Sequence, residues 1–246
     1  MQNVPDPKSF YNNVMPGKVD GDYERARWGA NPLLAAQYRM MTDLLGRFVA
    51  PSVRTARRVL EVGPGPGTWT KQLLAANPRA AYTLVDISKE MLAQARAELA
   101  GEQHVAFVES DLLEFDSSQP FDFFFSSRAI EYMPDKQVVA HKIASLLSQG
   151  ARGAIITKMP KPFFDRMRGR APRVLHSSQI RPDALADLLR AEGLGIEKVR
   201  IATATVPFLR SARLNTFAYW LLKHIPLVPP LTLFAESYIL TFRKSI

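Results

Sequence analysis

The chain has 246 residues, a length that suits one substantial α/β domain with its own core. It contains no cysteine, and its four histidines are far apart in the sequence, so thiol chemistry is excluded and no metal site is predicted. The net charge of +9 favours anionic partners, whether a small acidic molecule, a membrane surface or nucleic acid.

Residues 1–56 are predicted to be an N-terminal extension. The part from Asp6 to Gly21 is rich in proline, glycine and asparagine and predicts a loop. Apolar residues then recur at helical spacing from Pro32 to Phe48, which predicts an amphipathic helix that ends before Pro51. The first residues show neither the charged nor the apolar region of a signal peptide, so we expect a cytoplasmic protein.

Residues 57–246 alternate between strand and helix patterns, which is typical of a doubly wound, mostly parallel sheet. The near-continuous apolar run from Phe121 to Phe125 predicts a central strand buried on both faces. Seven strands are predicted, at 58–62, 81–85, 104–108, 121–125, 153–157, about 196–205 and 237–242. Helices are predicted at 68–76, from a cap at Ser88 to Leu99, at about 136–147 and at 182–192.

A glycine-rich turn follows the first predicted strand. After Glu61 come Gly63, Gly65 and Gly67, at every second position. Glycine lacks a Cβ, so such a turn can take positive φ and let a ligand approach the main chain, while free N–H groups at a helix start favour a negative group. Thr68 stands where the dinucleotide fingerprint G-x-G-x-x-G needs its third glycine. A nucleotide-like ligand is therefore predicted, with a purely structural turn as the alternative.

This spacing, with an acid two residues before the first glycine, resembles motif I of the class I S-adenosylmethionine-dependent methyltransferases. The resemblance implies a Rossmann-like methyltransferase fold, S-adenosylmethionine as cofactor and an enzyme that transfers its methyl group. It also implies that the glycines lie against the methionine part of the cofactor. In that family the acid before the turn, here Glu61, helps to hold the amino group of the cofactor.

Acidic residues follow the next two predicted strands. Asp86 comes about twenty residues after the glycines, where a carboxylate can accept both hydroxyls of a ribose. The family resemblance implies that Ile87 packs on the adenine, that Asp111 accepts from the adenine amino group and that the main chain of Leu112 contacts the ring. Each signal is weak alone, since a cap or turn aspartate is common, but their joint order fits a cofactor site.

The segment after the fourth strand departs from the family pattern. Many relatives carry asparagine at its start and a histidine near its end, whereas this chain has Ser127 and Tyr132 there. Ser127 is predicted to contact the cofactor. Tyr132 is a poor base at its ordinary pKa, although its ring can shield or orient the methyl donor. Arg128 and Glu131 are predicted either to face the acceptor or to form a plain ion pair.

His176 is the remaining candidate for a catalytic base, with a surface histidine as the alternative. It follows a basic segment, residues 158–173, in which six lysines and arginines accompany one acid, Asp165. Such a cluster suits an anionic substrate, a membrane surface or nucleic acid.

Residues 207–236 form an apolar insertion before the last strand. Its apolar stretches are too short and too rich in proline for a transmembrane helix. A lid over the acceptor, a peripheral membrane contact, a homodimer contact and a buried cover for the sheet edge all fit this pattern.

The basic and apolar segments together predict a small, amphiphilic or lipid-like acceptor with an anionic group. A specialised metabolite, an isoprenoid, a quinone precursor and a lipid-linked sugar all have this character. The alternatives are an RNA methyltransferase, which the charge favours although no RNA-binding module is visible, and a non-catalytic protein that binds S-adenosylmethionine.

Overall fold

A seven-stranded sheet forms the centre of the molecule in a computed structural model that describes residues 6–14, 27–160, 178–209 and 211–245. The strand order is β3-β2-β1-β4-β5-β7-β6. The predicted doubly wound, mostly parallel α/β sheet is therefore confirmed. The strands are β1 (Arg58–Val62), β2 (Ala81–Asp86), β3 (Val105–Glu109), β4 (Phe121–Ser127), β5 (Leu147–Lys158), β6 (Leu194–Ala204) and β7 (Ala235–Lys244).

The first five strands run parallel, and β7 runs antiparallel between β5 and β6. Parallel neighbours need a crossover connection, usually a helix on one face of the sheet. The helices are α1 (Pro32–Leu44), α2 (Ala50–Val53), α3 (Thr70–Ala76), α4 (Lys89–Glu98), α5 (Lys136–Leu146), α6 (Pro182–Ala191) and α7 (Ala212–Leu222).

Strand β4 shows why the sheet is buried on both faces. Phe121 and Phe124 belong to the core on one face, whereas Phe123 and Phe125 belong to the core on the other. Alternate side chains of a strand point to opposite faces, which separates Phe124 from Phe123 and Phe125. A register shift between Phe121 and Phe123 interrupts this alternation, and Phe121 shares the face of Phe124. The prediction of a central strand at this position is confirmed.

Two predictions for the N-terminal residues are wrong. Residues 6–14 are helical rather than loop, because the Asp6 carboxylate accepts from the N–H of Ser9 and Pro7 occupies the first turn. The helix from Pro32 does not end before Pro51 either: a π-helical turn, Leu45–Val49, connects α1 to α2. Pro51 lies in the first turn of α2, where its missing N–H leaves no bond unmade.

The N-terminal helices pack into the same core as the sheet. Leu44 and Val49 are fully buried in one cluster with Val59 of β1. The division of the chain at residues 56 and 57 stays a prediction.

The described part of the insertion at 207–236 contains α7 and a short 3-10 turn, Leu231–Phe234. Helix α7 contacts α1 and β6. No helix within the described ranges is long and apolar enough to cross a membrane.

The buried amide of Asn77 joins the N-terminal helices to α3. Its Nδ2 donates to the carbonyls of Val53 and Ala56, both at 2.8 Å. We expect Asn77→Ala to lower the free energy of unfolding by roughly 1–3 kcal/mol, because two buried carbonyls lose their partner. Denaturant unfolding measures this, with exposed Gln149→Ala as the control, expected within about 0.5 kcal/mol of wild type. Equal losses in the two variants would contradict the role of Asn77.

Candidate functional site

A cavity of about 510 Å³ opens beyond the carboxyl ends of β1, β2 and β4. This position is a topological switch point, because the chain leaves β1 and β4 toward opposite sides of the sheet. The volume lies within the roughly 300–1,000 Å³ of ligand pockets. Ten of the predicted site residues line it: Gly63, Gly65, Asp86, Ile87, Asp111, Leu112, Ser127, Arg128, Glu131 and Tyr132.

The glycine turn has the backbone that its sequence predicts. All three glycines have positive φ, 70° at Gly63, 57° at Gly65 and 87° at Gly67. A Cβ on Gly63 would lie 2.3 Å from the Cβ of Ala129, in the loop after β4. Only glycine therefore lets these two connections approach each other. Gly67 packs toward α4 and is not among the residues that line the cavity.

Glu61 lies beneath the turn rather than in the cavity wall. Its side chain is buried, and Oε2 accepts a hydrogen bond from the Thr70 hydroxyl at 2.8 Å. Burial raises the pKa of Glu61 to about 8, the Thr70 bond opposes this shift and the nearby Asp86 adds to it. The predicted contact between Glu61 and the cofactor amino group stays a prediction.

Asp86 connects the glycine turn to the start of α4. Oδ2 accepts from the Gly65 N–H at 3.3 Å, and Oδ1 accepts from the Ser88 N–H at 2.9 Å. Burial raises the pKa of Asp86 to about 6, against the effect of these N–H donors. The carboxylate lines the cavity and is ionised at neutral pH, so it can accept from a ligand hydroxyl.

The next residues of the wall come from the connections just after β2 and after β3. Ile87 and Leu112 supply apolar surface, and Leu112 is 1% exposed. Asp111 is exposed, and its Oδ1 accepts from the Leu113 N–H at 2.9 Å. The Asp111 side chain therefore stabilises its own turn as well as lining the cavity.

Ser127, the last residue of β4, is one of the residues that line the cavity. The residue is buried, and its Oγ makes no hydrogen bond within the part of the chain that the structure describes. A buried hydroxyl without a partner costs free energy, which a ligand can recover by bonding to it. This orphaned oxygen fits a polar cofactor at the end of β4.

Arg128 and Glu131 form a fixed ion pair after β4. The Nε of Arg128 donates to both carboxylate oxygens of Glu131, at 3.1 and 3.0 Å. Glu131 also accepts from the Thr157 hydroxyl at 3.2 Å and from the Lys158 N–H at 3.1 Å. The Arg128 backbone has φ 65°, rare for a residue with a Cβ, and its N–H donates to the Ile156 carbonyl at 2.8 Å.

The structure shows the predicted ion pair, and the alternative that these residues face the acceptor stays a prediction. Arg128 is paired with Glu131, yet it also lines the cavity, with 22% of its side chain exposed. Burial by itself would lower the pKa of Arg128, but the Glu131 carboxylate keeps that pKa above its usual value. A charged guanidinium in a concave wall can bind an anionic group.

The N-terminal residues are the part of the site that the sequence analysis missed. The Tyr11 hydroxyl lies 2.8 Å from the Tyr132 hydroxyl, and their rings meet edge to face at 5.9 Å. The Asn12 side chain accepts from the Ser88 hydroxyl at 2.7 Å, which holds this segment against α4. The pair Asp6-Pro7, a cap followed by a first-turn proline, was the available signal.

A cluster of three aromatic rings contributes two of its members to the wall. Trp28 packs against Tyr38 of α1 at 5.7 Å and against Trp69 at 5.6 Å, and Tyr38 stacks on Trp69 at 5.3 Å. Trp28 and Trp69 both line the cavity. Trp69 directly precedes α3, so this cluster ties α1 to the glycine turn.

Two predicted features cannot be placed in the site. His176 and most of the basic segment, from residue 161 onward, lie outside the described residues. The described residues of the 207–236 insertion do not appear in the cavity wall. The roles of His176 as a base and of the insertion as a lid stay predictions.

Known proteins resemble this chain in sequence. Residues 60–152 match a family model described as a methyltransferase domain. A trans-aconitate 2-methyltransferase of Klebsiella pneumoniae is 30% identical over 182 residues, which cover 68% of each chain. One of Methylobacterium nodulans is 34% identical over 136 residues, or 51% of this chain and 49% of that protein. The chain thus spans about half the length of the Methylobacterium nodulans relative.

The fold also resembles a solved structure. The magnesium protoporphyrin IX methyltransferase of Synechocystis PCC 6803, with bound S-adenosylhomocysteine, superposes with a TM-score of 0.67. The match covers 97% of this chain and 98% of that one at 16% identity. At this identity the likeness concerns the fold.

The buried Glu61 makes stability depend on pH. Between its ordinary pKa of 4.5 and its folded pKa of about 8, the unfolded chain loses a proton that the folded chain keeps. The stabilising effect of that proton is complete below pH 4.5 and is lost as the pH rises toward 8. Glutamine does not ionise, so Glu61→Gln avoids this loss. As the pH rises from 5 to 8, we expect its free energy of unfolding to increase by roughly 2–4 kcal/mol relative to that of wild type.

Denaturant unfolding at several pH values measures this difference, with exposed Glu114→Gln as the matched control. If the free energies of unfolding of Glu61→Gln and wild type changed with pH in parallel, Glu61 would ionise normally in the folded protein.

Proposed function

Because this chain belongs to the class I S-adenosylmethionine-dependent methyltransferases, we propose that it methylates a small, amphiphilic acceptor that carries an anionic group. The observation that supports this acceptor is Arg128, whose guanidinium lies in the cavity wall and is fixed there by the buried Glu131. The predicted family, whose cofactor is S-adenosylmethionine, is confirmed by the sequence relatives, and the predicted fold by the structural neighbour.

The polar groups of the cavity fit this cofactor. We assign the ribose hydroxyls to the Asp86 carboxylate and the methionine part to the turn at Gly63 and Gly65. The adenine is assigned to Ile87 and Leu112. The orphaned Ser127 hydroxyl is a further donor or acceptor for the cofactor.

The reaction needs alignment more than acid–base chemistry. S-adenosylmethionine supplies a methyl group on a sulfonium, and the acceptor's electron pair forms the new bond to carbon as the carbon–sulfur bond breaks toward sulfur. The leaving thioether needs no proton. The protein therefore has to hold the acceptor in line and exclude water. The rings of Tyr11 and Tyr132, whose hydroxyls are hydrogen-bonded to each other, lie in the wall of the cavity and are suited to position the acceptor and exclude water.

The anionic group of the acceptor is assigned to Arg128. Its Nε donates to Glu131, which fixes the plane of the guanidinium. We assign the anion to the N–H groups on the Nη atoms. A relative named for trans-aconitate, a carboxylate, is consistent with this assignment. The apolar part of the acceptor is assigned to the aromatic wall that contains Trp28.

The cofactor assignment predicts a pH dependence at Asp86. Its pKa of about 6 means that the carboxylate becomes protonated, and stops accepting two hydroxyls, as the pH falls below that value. We expect the affinity for S-adenosylmethionine to fall with pH, approaching about tenfold for each unit below 6. Asp86→Asn should bind about tenfold or more weakly at neutral pH and lose this dependence.

Calorimetric titration measures both effects, with exposed Glu114→Gln as the control for a carboxylate outside the cavity wall. A wild-type affinity for the cofactor that stays constant from pH 7 to 5 would remove Asp86 from the ribose site. Binding of NAD in place of S-adenosylmethionine would overturn the whole assignment.

The acceptor assignment predicts separate effects on acceptor and cofactor. In Arg128→Gln/Glu131→Gln both charges are removed together, so no buried charge is left unpaired. We expect KM for the acceptor to rise about tenfold or more, while the affinity for S-adenosylmethionine stays within about twofold. Arg128→Lys keeps the positive charge, so its KM for the acceptor should lie between the values for the double variant and wild type.

Transfer of a labelled methyl group measures this, with trans-aconitate and a total lipid extract as acceptors and total RNA as a third arm. Labelling of RNA alone would support the RNA methyltransferase alternative. An unchanged KM in the double variant would separate Arg128 from the acceptor.

A further inference from the structure

Helix α7 exposes apolar side chains to the outside of the molecule. Leu214, Phe217, Trp220 and Leu221 have 43%, 62%, 66% and 54% of their surface exposed. Their spacing places all four on one side of the helix, which we call the apolar face. A surface helix normally turns such residues inward, so this face is the reverse of the usual arrangement.

The inward side of α7 is held by polar groups instead. The Tyr219 hydroxyl bonds to the Asp43 carboxylate at 2.9 Å and to the Met40 carbonyl at 3.1 Å. Lys223 is buried and pairs with Asp43 at 3.3 Å, and the Asn215 side chain accepts from the Val206 N–H at 2.8 Å. These bonds, which we call the polar latch, fix the orientation of α7. They hold the apolar face toward the outside of the molecule.

The loops on both sides of α7 also expose apolar side chains. Phe208 and Leu209 precede the helix with 61% and 50% exposed, and Ile225, Val228 and Leu233 follow it with 43%, 51% and 45% exposed. A large exposed apolar surface on a protein usually marks an interaction site. Nine exposed large apolar residues lie within one segment of 26 positions, from 208 to 233, which makes this segment a candidate for such a site.

The charge on the outward side of α7 indicates which surface it meets. Arg213 is exposed on the same side of α7 as the apolar face, and His224 lies exposed just after the helix. Lys223 is buried against Asp43 and does not contribute to this side, and residues 212–222 contain no acidic residue. A helix that exposes tryptophan, phenylalanine and leucine beside an arginine, with no acid on it, matches segments that lie in the interface of an anionic bilayer.

From this geometry we propose that the apolar face of α7, with its flanking loops, docks the protein on an anionic phospholipid membrane. Trp220 and Phe217 enter the headgroup boundary, and Arg213 contacts the lipid phosphates. The protein binds the bilayer peripherally, because α7 is 11 residues long and too short to span it. This docking is independent of the acceptor assigned above.

Vesicle binding tests the docking. Wild type should sediment with vesicles of phosphatidylcholine and phosphatidylglycerol and bind vesicles of phosphatidylcholine alone several-fold more weakly. Phe217→Ser/Leu221→Ser should reduce vesicle binding about tenfold or more, because two exposed apolar side chains are lost. Arg213→Glu should reduce binding to the anionic vesicles only.

Val138→Ser is the matched control, because Val138 is also exposed, at 45%, but lies on α5 away from this segment. Trp220 is a built-in reporter: its emission should shift to shorter wavelength with vesicles, and Trp220→Phe should lose the shift while still binding. Cofactor titration and thermal unfolding of each variant check that the fold is retained.

Two results would overturn the proposal. One is wild type that does not sediment with anionic vesicles. The other is a wild-type dimer that Phe217→Ser/Leu221→Ser converts to a monomer without any change in vesicle binding, which would make the apolar face a contact between two copies. Loss of methyl transfer with vesicle binding retained would count against the proposed acceptor and leave the docking intact.

Discussion

The close approach between the glycine turn and the loop after β4 is the constraint on which the site depends. Because a Cβ at Gly63 would lie 2.3 Å from Ala129, these two connections can meet only if the first carries glycine. Their meeting lets Asp86, Arg128 and the main chain of the turn share one cavity. Arg128, with its positive φ, belongs to the same loop, immediately after β4.

The fold buries polar groups around this cavity at a cost in stability. Glu61 and Asp86 both have raised pKa values, and the Ser127 hydroxyl has no partner among the described residues. Glu131 differs, because its buried carboxylate is satisfied by Arg128, Thr157 and the main chain. Unsatisfied groups mark where a polar ligand would bind, and the satisfied pair marks a rigid support for charge.

Helix α1 supports both of the surfaces to which we assign function. Tyr38 packs against Trp28 and Trp69, which line the cavity, and two and five residues later Met40 and Asp43 hold α7 through Tyr219. A membrane-bound α7 would therefore rest on the same helix that supports these two cavity-lining rings. The latch is polar and the outward face is apolar, which fits a helix whose outer surroundings are lipid rather than water.

The sequence by itself determined the sheet, the glycine turn and the acids at the strand ends, because strand alternation and glycine spacing are local patterns that packing reinforces. It also predicted Arg128 and Glu131 but left open whether they pair or face the acceptor, since only the fold shows that they pair with each other while both line the cavity. Tyr11 was missed because a helical turn of a few residues is stable only against its neighbours. The outward direction of α7 was likewise decided by tertiary structure, through bonds to Asp43 that are remote in sequence.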